Sequence, residues 1–136
     1  CIFDATASNN SSGAGVQEEA RWGIATSATT GDAPGASAGA WFSIESGTSL
    51  EAVTSDGAGT TEVTVGTMPR DGVDRRYRIE FDASQIRFLI DGVVVLTQTT
   101  TLPAGATNMR GFIRVAETGT GTADIRLAFY GARQDR

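Results

Sequence analysis

The chain of 136 residues has no histidine and no lysine, a single cysteine and three prolines. Each scarcity closes off a class of chemistry. Without histidine there is no Ser-His-Asp triad, no Cys-His pair and no ordinary zinc site. The lone Cys1 cannot close an intrachain disulfide, so stability must come from a core and from strand ladders. Cys1 reads as an incidental terminal residue, with a lipid attachment point or an interchain link as the functional alternatives. A chain that begins there rather than at Met reads as processed or as a segment of a longer product. No apolar run approaches the roughly 20 residues that span a bilayer and no signal-peptide pattern is visible, so the chain reads as soluble. A formal charge of −5 with no basic run argues against nucleic acid and against an anionic membrane.

Helical periodicity is also nearly absent, and what stands in its place is a series of short β-branched and aromatic runs between Gly, Ser, Thr and Asp clusters. That spacing is typical of an all-β sandwich or barrel. Strands are expected over 19–26 (Trp22 and Ile24 on one face), 38–45 (Trp41, Phe42, Ile44), 49–55 and 60–66, the last two as a hairpin around Asp56-Gly57-Ala58-Gly59. Leu50, Val53, Val63 and Val65 are its apolar members. Residues 27–37 read as a loop and 68–75 as a polar connection. Two further strands are expected over 109–118 and 122–132, supplying Phe112, Ile113, Val115, Ile125, Leu127 and Phe129. The stretch ATASNNSSGAGV over 5–16 is low in hydrophobicity, so 1–18 is expected to be a flexible arm or loop before a single sandwich domain over 19–136.

The strongest local signal is YRIEFDASQIRFLIDGVVVL, Tyr77 to Leu96. Asp91-Gly92 fits a two-residue type I′ turn, which needs positive φ at both central positions. Ile90 then faces Val93, and Phe88 is expected to face Val95. Closing Asp82-Ala83-Ser84-Gln85 sets Tyr77 opposite Ile90, Ile79 opposite Phe88 and Glu80 opposite Arg87. A one-residue slip would set Phe81 against Arg87 and send the apolar set to the wrong face. The result is a three-stranded antiparallel meander.

The same run, continued as TQTTTLP, resembles the core meander of the concanavalin A-like lectin/glucanase jelly rolls, which include laminin-G-like modules and the family 16 glycoside hydrolases. The likeness extends more weakly to AWFSIESGTSLEAVTSDG and to GFIRVAETGTGTADIRLAFYGAR. The hairpin, the Asp-Gly meander and the closing DIRL strand together are similar to modules of bacteriophage virion proteins. The resemblance implies an antiparallel β-sandwich with jelly-roll topology. It leaves function open, because such folds host enzymes, lectins and structural modules.

Retaining glycosidases need two carboxylates about 5–5.5 Å apart. The Glu-x-Asp-x-x-Glu strand of the family 16 enzymes is missing here. Glu80-Phe81-Asp82 falls in the strand after the catalytic one and reads as a solvent-facing Glu paired with Arg87 and an Asp opening a turn. Glu45 stands alone on FSIES. No enzymatic activity and no cofactor are expected. For calcium, Asp32, Asp56, Asp71, Asp74 and Asp124 lie in or beside loops, but no D-x-[DN]-x-[DN]-G loop is present and turn aspartates ordinarily cap backbone amides. No metal ligand is assigned. Glycan binding would need an exposed aromatic platform. Tyr77, Trp22 and Trp41 read as core, leaving Tyr130 as the exposed candidate. Arg78, Arg87, Arg114 and Arg126 alternate with core positions and are expected to share an outer face, as solvated charge or as a subunit interface. The complete replacement of Lys by eleven Arg reads as codon usage, with planar carboxylate or glycan contacts as the functional alternative.

These readings combine into a non-catalytic structural or adhesive module of a virus particle, located in a virion or extracellularly. The expected partners are copies of itself, other virion subunits or a surface glycan, with nucleic acid and membrane excluded. The alternative is a carbohydrate-binding module of a secreted bacterial protein.

Overall fold

The computed structural model describes residues 2–11, 18–26, 37–45, 47–104, 109–117 and 124–133. Among these residues it is an antiparallel β-sandwich of ten strands: β1 (Ile2–Asn9), β2 (Glu18–Ala25), β3 (Ala38–Ile44), β4 (Ser49–Asp56), β5 (Thr60–Thr67), β6 (Arg75–Phe81), β7 (Ile86–Ile90), β8 (Val93–Gln98), β9 (Arg110–Glu117) and β10 (Ile125–Arg133). One sheet runs β10-β1-β6-β7-β8 and the other β5-β4-β3-β2-β9. They are called here the β1 sheet and the β3 sheet.

The arm expected over 1–18 is, over Ile2–Asn9, a strand between β10 and β6. Its inward residues Phe3, Ala5 and Ala7 are fully buried. Two alanines and intervening Thr and Ser keep the segment's hydrophobicity low, yet small side chains fit an interior strand flanked on both sides. Residues 12–17 lie outside the described residues, as do 27–36, 105–108 and 118–123.

The meander forms as its sequence requires. Tyr77 pairs with Ile90, Ile79 with Phe88, Glu80 with Arg87, and Ile90 with Val93. Asp91 and Gly92 take φ of 51° and 84°, the left-handed pair that the type I′ turn demands. One expected pairing is corrected: Phe88 lies opposite Leu96, not Val95, because the register shifts between Phe88 and Leu89. The extra residue is a bulge in β8, an edge strand, where such irregularities concentrate.

Between the sheets, Trp22, Phe42, Tyr77 and Phe88 form one aromatic cluster. Phe42 sits edge-on to Tyr77 and Phe88 at 5.0 and 5.2 Å, and Trp22 edge-on to Tyr77 at 5.1 Å. All four are fully buried, and each contributes roughly 2–3 kcal/mol by removal from water. Burial also pushes the Tyr77 hydroxyl up to about 12. Met68 is fully buried, so the connection after β5 is anchored by an apolar residue rather than being polar throughout.

Trp41 is buried, as expected, but it and its cross-strand partner Val53 lie outside the cluster between the sheets. Each alternates with inward neighbours, so both project from the outer face of the β3 sheet, cross-strand partners outside the main cluster. Trp41 is nonetheless only 3% exposed and meets Phe112 edge-on at 6.1 Å. Gly23, opposite Trp41, is held tight: a Cβ there would run into the Ala40 carbonyl oxygen and the Trp41 backbone.

Candidate functional site

The outer face of the β1 sheet is a ladder of matched charges. Asp4 of β1 accepts hydrogen bonds from both Arg76 and Arg78 of β6, the latter at 2.9 Å. Arg78 also reaches Glu80 at 3.5 Å, and Glu80 meets Arg87 of β7 at 2.7 Å. The Arg76 guanidinium is the chief cause of an Asp4 pKa below the usual carboxylate range, outweighing the opposing effect of partial burial. A groove of about 370 Å³ lies beside this ladder, lined by Arg76, Arg78, Leu89, Asp91 and Gly92. Both of its cations already face Asp4, and the Asp91 carboxylate accepts the Arg76 backbone N–H at 2.8 Å. Its charges are spent on the fold.

On the outer face of the β3 sheet the balance differs. Glu45 just past β3, Glu51 of β4 and Glu62 of β5 bring carboxylate oxygens within 4.8 Å of one another. Strand register explains the meeting: Glu62 pairs with Val53, two residues along β4 from Glu51, and Glu51 pairs with Ser43, two residues before Glu45. Arg21 donates to Glu45 at 2.9 Å and also meets Glu19 at 3.2 Å, while Arg114 meets Glu19 at 3.5 Å. The pKa of Glu51 is raised, first by desolvation and then by the Glu45 and Glu62 charges. Ser43, on the same face, is fully buried, and its hydroxyl finds no hydrogen-bond partner among the described residues.

Of the loop aspartates, Asp56 and Asp71 cap backbone amides in turns as expected, whereas Asp124 meets side chains. Asp56 Oδ1 accepts the Ala58 and Gly59 N–H groups, each at 2.8 Å. Asp71 accepts the Val73 N–H and pairs with Arg75 at 2.7 Å, which holds its carboxyl at about 2. Asp82 accepts the Ser84 N–H at 3.0 Å, and Asp124 faces Arg126 and Asn10. Asp74 is exposed, and Asp32 lies outside the described residues. Trp22 and Tyr77 are core as expected. The side chain of Tyr130 is outside what is described.

Two site readings need correction. Glu45 does not stand alone but belongs to the three-glutamate group. The four arginines do not share a face: Arg78, Arg87 and Arg126 lie on the β1 sheet and Arg114 on the β3 sheet. Glu51 and Glu62 went unnoticed in the sequence, although the 49–66 hairpin that brings them together was legible. Compared with protein-family models and with curated proteins, the sequence finds no match.

Proposed function

We propose that this chain is a non-catalytic structural or adhesive module of a virus particle, such as a phage capsid decoration, tail or fibre protein, working by contact between copies of itself. One observation carries the reading: apolar side chains are exposed on edge strands at opposite sides of the sandwich. On β8, Val93 is 66% and Val94 45% exposed, and on β9, Ile113 and Val115 are nearly half exposed. Strand β8 ends the β1 sheet on the side where β5 lies, as the 2.8 Å contact between Thr61 of β5 and Thr101 just after β8 indicates. Strand β9 ends the β3 sheet on the β10 side. Two different apolar edges on opposite sides suit a head-to-tail contact, which builds rings or filaments rather than a closed twofold dimer. Monomeric sandwiches protect such edges with charge or proline.

The jelly-roll resemblance of the meander and closing strand adds the virion context. The carbohydrate-binding alternative gains no platform from Trp22, Trp41 or Tyr77, which are all buried.

Sedimentation velocity and negative-stain microscopy of the whole chain test this reading. Concentration-dependent oligomers that Val93→Asp or Ile113→Asp abolishes are expected, and antibodies to the chain should decorate purified particles. A chain that stays monomeric at all concentrations overturns the reading, and tight binding of that monomer on a glycan array would replace it with the carbohydrate-binding one.

A further inference from the structure

We propose that Glu45, Glu51 and Glu62, with the hydroxyl of Ser43, form a binding site for one calcium ion on the outer face of the β3 sheet. Calcium takes six to eight oxygens at about 2.3–2.6 Å, so ligands on opposite sides of the ion stand roughly 4.6–5.2 Å apart. The three carboxylates already fall within that span, with oxygens no more than 4.8 Å from one another. Together they offer six oxygens. Magnesium, at about 2.0–2.1 Å in a near-ideal octahedron, fits this spread less well and keeps its waters. With no histidine in the chain and only oxygen donors in the group, the site favours a hard cation over zinc or copper.

Ser43 supplies an observation independent of the acidic charge. Its hydroxyl projects from the same face, across from Glu51 and two residues before Glu45. It is fully buried yet makes no hydrogen bond among the described residues. A buried hydroxyl without a partner costs free energy; Ser43 stands between Arg21 on β2 and Glu51 on β4, and an ion held by Glu51 and Glu45 would give its oxygen lone pair a use. Charge points the same way. Arg21 is a cation in contact with the group, and it divides itself between Glu45 and Glu19. The remaining negative charge would be met by a divalent ion.

The ligands come from the end of β3, from β4 and from β5, so a bound ion would fasten the edge strand β5 to the interior of its sheet. This inference stands apart from the self-assembly reading, which concerns β8 and β9.

Calorimetry on the whole chain, stripped with EDTA and titrated with calcium chloride, should show one ion bound per chain. Thermal melts should move up with calcium and return with EDTA. Glu51→Gln and Glu62→Gln should each weaken calcium binding about tenfold or more, since affinity follows the ligand charge count, and Ser43→Ala should weaken it severalfold. Glu80→Gln, on the opposite sheet, should leave the calcium response unchanged. Melts without calcium establish that each variant is folded, and Glu62, the exposed member on the edge strand, gives the substitution best tolerated by the fold. Absence of both heat and a melting shift overturns the proposal, as does a calcium response that survives Glu51→Gln and Glu62→Gln.

Discussion

The two outer faces of this sandwich use the same residue types to opposite ends. On the β1 sheet, Asp4 meets two arginines and Glu80 meets two, with Arg78 common to both, so the face is a closed electrostatic ladder across β1, β6 and β7. On the β3 sheet three glutamates gather beside Arg21, which also serves a fourth, Glu19. One face uses its charge to hold strands together, whereas the other gathers three carboxylates on the face that carries the buried Ser43. The difference lies in register rather than composition, because both faces are built from alternating strand positions.

The largest expected effect comes from removing the strand that carries the hub of the first ladder. Deleting residues 1–11 takes away β1, with Phe3, Ala5 and Ala7 from the core and Asp4 from the ladder, and leaves β6 and β10 without their shared neighbour. The truncated chain should lose its cooperative thermal transition, measured by circular dichroism. A sharp melt near that of the whole chain would mean that β1 is dispensable and that the ladder does not hold the sheet.

That strand also marks where the sequence stopped being legible. The meander could be read because a type I′ dipeptide sat between two runs whose alternation permitted a single register, and Asp91, Gly92, Tyr77 and Ile90 fell as expected. In IFDATASN the inward set is one Phe and two Ala, so alternation carried almost no hydrophobic contrast. The β8 bulge leaves no residue signature, and it moved Phe88 from Val95 to Leu96. Adjacent Trp41 and Phe42 cannot face the same side of one strand, so although both are buried only Phe42 fills the space between the sheets. The glutamate cluster depended on three strands in register at once, beyond the reach of local pattern even though the β4–β5 hairpin itself was visible.

The next effect tests the hub alone. Asp4→Ala leaves Arg76 and Arg78 without their shared carboxylate, and because the Arg76 side chain is more than half exposed the loss should be roughly 1–2 kcal/mol rather than that of a fully buried pair. Urea melts provide the measurement. Since Asp4 has a lowered pKa in the fold, its contribution is complete above the unfolded carboxylate pKa and is lost as pH falls through the lowered folded value. The difference between wild type and Asp4→Asn should therefore be constant near neutrality and shrink on acidification. A difference that grows as pH falls would reverse the sign and break the account of this face.

A smaller effect of the opposite sign belongs to the other face. In EDTA, Glu51→Gln removes one of three mutually repelling charges and should stabilise the chain by about 0.2–1 kcal/mol, the range for interacting side chains on neighbouring strands. Substituting acids on the two faces thus moves the urea midpoint in opposite directions. If Glu51→Gln were destabilising without metal, the cluster would be cohesive like the Asp4 ladder, and the contrast between the faces would vanish.

The smallest effect asks whether arginine number or arginine placement matters. Arg126 lies on β10 at the edge of the β1 sheet, and its side chain is 73% exposed, with a contact of 3.3 Å to Asp124 two residues away. Such a pair gains little in high dielectric and loses side-chain entropy in forming. Arg78, by contrast, sits on β6 between Asp4 and Glu80 and joins the two halves of the ladder. Arg126→Ala should leave the urea midpoint unchanged within error at low and at high salt, while Arg78→Ala lowers it and does so less at high salt, where screening has already weakened its contacts. Equal shifts for the two variants would show that the face works through its total positive charge, and the closed ladder through Asp4 and Glu80 would then have no special standing.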